Sequence, residues 1–292
     1  PNVDFDIGAI NNFLGKFFPA GFYYKTFMWP KSFWEKIYEP AIRSSAGLGR
    51  LSMKPDPSTY DKGFLHCDVL IVGSGVAGLI AAEQLAYSGA RVLLLEEDFQ
   101  MGGRLNSEDL SIDQISSSKW AENWVSRLKT LDNVRILTRT SLYGSFDHGI
   151  YGALEKKTDH LSKNQKKPRQ ILWKIYAKHC VLASGAVERS IVFPNNDRPG
   201  IMLSGAVRTY ANRFGSALGR TAAIFTNNDD GWKTANDLSN IGVKIAGIID
   251  TRKNIKPLTD KYPSYLNSSI IDTFGRKGLS GIKVSIQSFI RS

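Results

Sequence analysis

The sequence predicts an α/β fold made of two consecutive strand–helix–strand units, the second incomplete, behind an aromatic-rich amino-terminal arm. Three observations carry this. An apolar run ends in Gly73-Ser-Gly75-Val-Ala-Gly78 and passes into a helix-compatible stretch and then a second apolar run. The same alternation returns from Thr221 onward without the glycine spacing. Eight aromatic residues crowd between Phe22 and Tyr38, ahead of both units.

The arm is expected over residues 1–66. Pro19, Pro30 and Pro40 should break its aromatic segment into short pieces that pack along their own domain, each ring burying much area. Packing on a partner subunit, where aromatics are enriched, is the other option.

Residues 67–75 read as a short apolar strand, 76–88 as a helix rich in Ala, Leu and Glu, with Gly89 as its C-cap, and Arg91–Asp98 as a buried strand. Between strand and helix, Gly73 permits a tight turn. Gly75 lets backbone approach a pyrophosphate, and Gly78 lets helix and strand pack closely. The helix start at Val76 and Ala77 then offers N–H groups to phosphate oxygens. Glu96, with Glu97 beside it, ends the second strand where a carboxylate bonds ribose hydroxyls and disfavours a 2′-phosphate. This is an FAD/NAD(P)-binding, Rossmann-like pattern, and it favours NAD or FAD over NADP.

The pattern continues to residue 215, the expected end of the first dinucleotide-binding domain. "MGGRL" supplies Gly103 and Arg104, and double glycine here resembles flavoprotein and pyridine-nucleotide oxidoreductases. Residues 133–147 and 169–190 read as strands, with the basic stretch 156–169 as a solvated hairpin loop. "LASGA" resembles the strand end of two-dinucleotide-binding-domain flavoproteins, which adds Ser184 and Gly185 to the candidate ligands.

Residues 216–292 should form a second, partial Rossmann-like domain: a strand at 221–226, a helix within 227–242 and a strand at 243–250. Its turn is Asn227-Asn228-Asp229-Asp230-Gly231. Two carboxylates there would repel a pyrophosphate, so Asp229 and Asp230 are read as helix caps, and only one conventional dinucleotide site is expected.

Composition narrows the function further. The 292 residues are 42% hydrophobic and 22% charged, which is ordinary for a globular chain. No apolar run approaches the roughly 18 residues of a membrane span, and no signal-peptide core opens the chain. A net charge of +11 without a recognition module does not indicate nucleic acid. Two cysteines point to a reducing compartment, so a cytoplasmic location is expected. The pairs His66-Cys67 and His179-Cys180 lack metal-site spacing, and strand neighbours point to opposite faces, so structural cysteines at strand starts are expected rather than a metal site. No dithiol, Ser-His-Asp or paired-acid constellation is present, and no catalytic residue is assigned.

The sequence resembles the alpha subunits of heterotetrameric sarcosine oxidases. The resemblance rests on "DFDIGAINNFLGKFFPAGFYYKTFMWP", "WEKIYEPAIRSSAGLGRL", "CDVLIVGSGVAGL", "VERSIVFPNNDRPGIMLSGAVRTYANRFG" and "FTNNDD". It implies NAD⁺ at the glycine motif and beta, gamma and delta partner subunits. It also implies an FAD that oxidises substrate on beta, and an FMN shared with that subunit. The complex would demethylate sarcosine oxidatively to glycine, releasing formaldehyde, or methylenetetrahydrofolate when folate is present, and hydrogen peroxide. The family's ferredoxin-like amino-terminal domain and folate-binding carboxyl half have no counterpart in the 292 residues, so a fragment or a truncated homologue is expected. Two other readings stay open: an FAD-binding subunit of a heteromeric amine, opine or proline dehydrogenase, and a non-catalytic scaffold with an empty nucleotide fold.

Overall fold

The computed structural model describes residues 13, 27, 29–49, 51–161, 167–275 and 278–286. The chain divides into two compact units, 1–57 and 58–292.

In the first unit a π-helical turn, Trp34–Tyr38, runs into helix α1 (Glu39–Ser45). Pro40 does not break this segment. It is the second residue of α1, directly after the π-helical turn, whose ladder ends with Glu39 N–H donating to Trp34 O. Tyr38 gathers the local rings, with Phe27 at 5.2 Å and Phe33 at 6.2 Å between centroids. No residue of the turn or of α1 is buried, and Trp29 is 82% exposed. In the described part of the arm Tyr38, Phe27 and Phe33 form an aromatic cluster. Residues 14–26 and 28 of the aromatic segment lie outside the described residues.

The second unit is built on a six-stranded sheet. Its strands are β1 (Tyr60–Val72), β2 (Val92–Leu95), β5 (Val134–Leu137), β6 (Thr140–Phe146), β7 (Ile150–Glu155) and β8 (Gln170–Leu182), in the order β5-β2-β1-β8-β7-β6. The two short strands β3 (Ser111–Ile112) and β4 (Ile115–Ser116) form a separate hairpin. β1 starts seven residues before the expected Cys67, because β8 pairs with it in parallel from Tyr60↔Gln170 to Val72↔Leu182. β7 and β8 pair antiparallel, so the basic 156–169 stretch does connect a hairpin.

Helix α2 (Val76–Tyr87) crosses from β1 to β2, and helix α3 (Ser117–Leu128) lies between β2 and β5 in sequence. Alternation along the strands divides the core in two. Val92 and Leu94 pack with Leu79, Ala82, Trp120 and Leu128 of the helices. Leu93 and Leu95 join Leu65, Leu70, Ala153 and Ile175 in a second cluster. The two cysteines are free. Neither begins a strand: Cys67 is buried in mid-β1, and Cys180 is near the end of β8. Burial comes first among the causes that raise the Cys67 thiol to about 11. Among the described residues no cluster of His, Cys, Asp and Glu could hold a metal, and no helix is long and apolar enough to cross a membrane.

Helix α4 (Ser204–Arg208) and a π-helical turn (Thr209–Arg213) lead into the second half. There β9 (Thr221–Thr226), α5 (Asp230–Asn240) and β10 (Lys244–Asp250) form the expected strand–helix–strand unit. β11 (Ser264–Leu266) completes a parallel β11-β10-β9 sheet, and β12 (Ser268–Phe274) pairs antiparallel with β13 (Gly281–Ile286).

Leu79 is fully buried at the junction of α2 and the sheet. Leu79→Ala is expected to lower unfolding free energy by about 2–5 kcal/mol in urea titrations, through lost transfer energy and the cavity left behind.

Candidate dinucleotide site

β1 ends at Val72, and the chain turns at Gly73, whose φ is +98°. A side chain there would collide with the Ala183 carbonyl, since Ala183 N–H donates to Val72 O at 2.8 Å. Gly75 is extended, with φ −66° and ψ −174°, and is the N-cap of α2. A Cβ on Gly75 would meet nothing within 4 Å, so this backbone faces open space. A Cβ on Gly78 would run into the Gly73 carbonyl, which is the close packing predicted from the motif. No side chain caps α2, and Val76 and Ala77 are exposed, so no side-chain cap satisfies the first-turn N–H groups.

Glu96 directly follows β2 and is 7% exposed. Its Oε2 accepts from Ser74 N–H at 2.9 Å and from Ser74 Oγ at 2.5 Å, and its Oε1 accepts from Asp98 N–H at 2.9 Å. Three of roughly four acceptor positions on the carboxylate are therefore occupied. Ser74 Oγ also accepts from Gly102 N–H at 3.1 Å. Glu97 is exposed.

The Gly102–Gly103 turn has φ +121° and +53°, and a Cβ on Gly103 would stand 3.3 Å from Gly75 Cα. The double glycine thus lies against the phosphate loop. Arg104 does not point at open space. Its guanidinium pairs with Glu108 and, at 2.8 Å, with Asp230 of the second half. Ser184 and Gly185 follow β8 on the exposed surface, where Gly185 has φ +70° and a Cβ would meet nothing within 4 Å.

The second half uses its turn differently. Neither Asp229 nor Asp230 caps α5 with its side chain. Asn228 Oδ1 accepts from Asp230 N–H at 2.9 Å, while Asp229 pairs with Arg252 at 2.8 Å. Asp250 ends β10, as Glu96 follows β2, but it is wholly buried under Trp232 Nε1 and the Arg252 guanidinium. Side chains of this chain therefore take up the Asp250 carboxylate.

Sequence reasoning missed Ser74, Asp98, Arg208 and Arg213. A hydroxyl residue inside the glycine motif, facing the acid 22 positions on, is the one signal that could have found Ser74. The two arginines pair over long separations. Arg213 donates to both oxygens of Asp98 at 2.6 and 3.1 Å, and Arg208, 1% exposed, donates to Asp237 at 2.6 Å.

This geometry defines a dinucleotide-binding α/β fold of the oxidoreductase type. Residues 67–259 match the pyridine nucleotide-disulphide oxidoreductase family, and the chain belongs to it. Over 253 residues it is 46% identical to sarcosine oxidase subunit alpha of Rhizobium meliloti (strain 1021), covering 86% of this chain and 26% of that one. The same-named protein of Corynebacterium sp. (strain U-96) is 43% identical over 213 residues, covering 72% of this chain and 22% of that one. These relatives bear out the resemblance seen in the sequence, and the chain spans about a quarter of their length. Among solved structures, L-proline dehydrogenase from P. horikoshii shares the fold with a TM-score of 0.58 and 22% identity, covering 79% of this chain and 40% of that one.

Two outcomes follow from the site's hydrogen bonds. Ser74→Ala strands the Gly102 N–H and removes a donor from buried Glu96, so it is expected to cost about 1–3 kcal/mol in urea titrations. Asp98 is partly desolvated, which opposes ionisation, but hydrogen bonds and charge from Arg213 outweigh this and lower its pKa below the usual 3.8. A lowered folded-state pKa adds stability that is present above the unfolded value and lost as pH falls through the folded one. The stability gap between the native chain and Asp98→Asn should therefore be constant from about pH 6 to 8 and close below about pH 4 in thermal melts.

Proposed function

We propose that this chain is the NAD⁺-binding part of a sarcosine oxidase alpha subunit. The observation that carries the binding site is Gly75: extended backbone at an uncapped helix start, with open space where a Cβ would be. A pyrophosphate fits such a cradle because nothing in the chain competes for the first-turn N–H groups.

In this reading Gly73, Gly75, Val76, Ala77 and Gly78 hold the pyrophosphate. Glu96, with Glu97, receives ribose hydroxyls, and Ser74 holds the Glu96 carboxylate in place. Gly103, Ser184 and Gly185 line the other half of the nucleotide, and Arg104 tethers the Gly102–Gly103 turn through Glu108 and Asp230. When bound, NAD⁺ supplies a nicotinamide ring able to accept a hydride.

The relatives' names support a place in a complex, which we read as beta, gamma and delta subunits with an FMN shared between subunits. The reaction is the oxidative demethylation of sarcosine to glycine, formaldehyde or methylenetetrahydrofolate, and hydrogen peroxide, with a cytoplasmic location. A second reading places FAD at the same site, in a heteromeric amine, opine or proline dehydrogenase. The double-glycine turn against Gly75 suits it equally.

The chain is purified and its spectrum recorded. It is then denatured, and released nucleotide is identified by mass spectrometry. NAD⁺ with no flavin absorption near ~450 nm is the expected result. Released FAD moves the assignment to the dehydrogenase reading, and failure to bind any nucleotide leaves only the scaffold. Gly75→Ala should cut nucleotide retention at least about tenfold while costing no more than about 1 kcal/mol of stability, as a change of N-cap residue.

A further inference from the structure

The double-glycine turn that lies against Gly75 is held from two different parts of the chain. At its start, Gly102 N–H donates to Ser74 Oγ at 3.1 Å, within the first half. Beyond the glycines, residues 104–109 are held from the second half. Arg104 pairs with Asp230 at 2.8 Å, and Asn212 Nδ2 donates to Ser107 O at 2.9 Å. Arg208 approaches Glu108 at 3.7 Å, and Asn240 Nδ2 donates to Asp109 Oδ2 at 3.3 Å. Asp230 and Asn240 are the first and last residues of α5, so this helix is fastened to the stretch at both of its ends.

These contacts gather round one buried group. Arg208 donates to Asp237 at 2.6 Å and pairs with Asp230 at 3.3 Å. Asn212 Nδ2 also donates to Asp237, at 3.0 Å. Both anions that Arg104 meets, Glu108 and Asp230, therefore also meet Arg208. An isolated exposed ion pair such as Arg104–Asp230 holds little, because solvent screens it. Here Asp230 is fixed from behind by a buried guanidinium, and Asn212 holds the Ser107 carbonyl independently. The turn cannot supply this order itself. Gly102 and Gly103 have φ +121° and +53° and no side chains, so the anchors on either side of them decide their path.

Taking the dinucleotide site as proposed, we infer that Asp230 and Asn212 are positioning residues for it, so that the second half sets the nucleotide affinity of the first. Neither residue belongs to the glycine loop or to the end of β2. They act through residues 104–109 on Gly103, where a Cβ would stand 3.3 Å from Gly75 Cα. Moving that turn by about 1 Å either fills the open space at Gly75 or takes away a wall beside it, and a binding site tolerates little looseness of that size. The coupling is reciprocal. A nucleotide that binds better when the turn is held must in turn fasten residues 104–109 to α5.

The test measures binding of NAD⁺ and of FAD to the 292-residue chain after its nucleotide is stripped with charcoal, and hydrogen exchange of α5 with and without the ligand. Asp230→Ala and Asn212→Ala should each weaken whichever dinucleotide the native chain binds by about fivefold. Adding Arg104→Ala to Asp230→Ala should cost less than about twofold more, since both break one link. Asp229→Ala breaks the neighbouring pair with Arg252 instead and should leave affinity within about twofold of native. Bound dinucleotide should slow exchange of the α5 amides about fivefold in the native chain and not in Asp230→Ala, whereas a role confined to folding would leave that protection in place. Native affinity in either variant overturns the positioning role of that residue. An equal loss in Asp229→Ala, or protection of α5 that survives in Asp230→Ala, overturns the coupling while leaving the dinucleotide site intact. A native chain that binds neither dinucleotide overturns the coupling and the site together.

Discussion

The bond between Ser74 and Glu96 is the contact on which the rest of the site depends. Through it the end of β2 holds the glycine loop after β1, and through the same hydroxyl it holds the turn at Gly102. Three loops that leave the sheet at different points become one surface. The bond also helps explain how an acid at the end of β2 is buried with no ion pair among the described residues, the Arg213 guanidinium acting on it only at longer range. A carboxylate that accepts two N–H bonds and one O–H bond has its charge met by dipoles, and the remaining acceptor position is all that a ribose hydroxyl requires.

The two halves of the second unit repeat one architecture with opposite electrostatics. In the first, the loop after the strand is glycine and the helix start is bare. In the second, Asp229 and Asp230 stand at the helix start, each drawing an arginine, and Trp232 and Arg252 cover the terminal acid Asp250. Gly231 is packed against Thr226, so even its lack of a side chain serves the fold. A strand–helix–strand unit therefore becomes a binding site only where the chain leaves its helix start and strand-end acid to a ligand.

Much of this was legible before the structure because it is local. The glycine motif, the helix after it and the acid ending β2 are neighbours in sequence, and each residue type answers a steric or electrostatic demand that can be stated for a short segment. The pairs that could not be read are separated by distance along the chain. β1 begins at Tyr60 because β8 lies beside it over its whole length, and nothing in residues 60–66 alone announces that partner. Pro40 looked like a break, yet the helical turn before it continues into α1, because the π-helical ladder closes at Glu39, one residue before the proline. Asp229 and Asp230 looked like caps, and their arginine partners come from segments that only the fold brings together.

Those distant arginines also fix how the halves of the second unit meet. Arg208 is buried and pairs with Asp237 at 2.6 Å and Asp230 at 3.3 Å, and Arg104 reaches Asp230 from the Gly102–Gly103 turn. A buried pair of this kind adds little net stability over apolar residues of the same shape, because desolvation offsets most of the attraction. Breaking it is another matter: one Arg208 nitrogen already lacks a hydrogen-bond partner, and loss of Asp237 would leave a buried guanidinium with weaker anionic company. Such a network penalises wrong arrangements more than it rewards the right one. It links the two halves, since Asp230 belongs to the second half and Arg104 to the turn lying against Gly75 in the first. The Arg104–Asp230 pair thereby connects the second half to the turn that lies against Gly75.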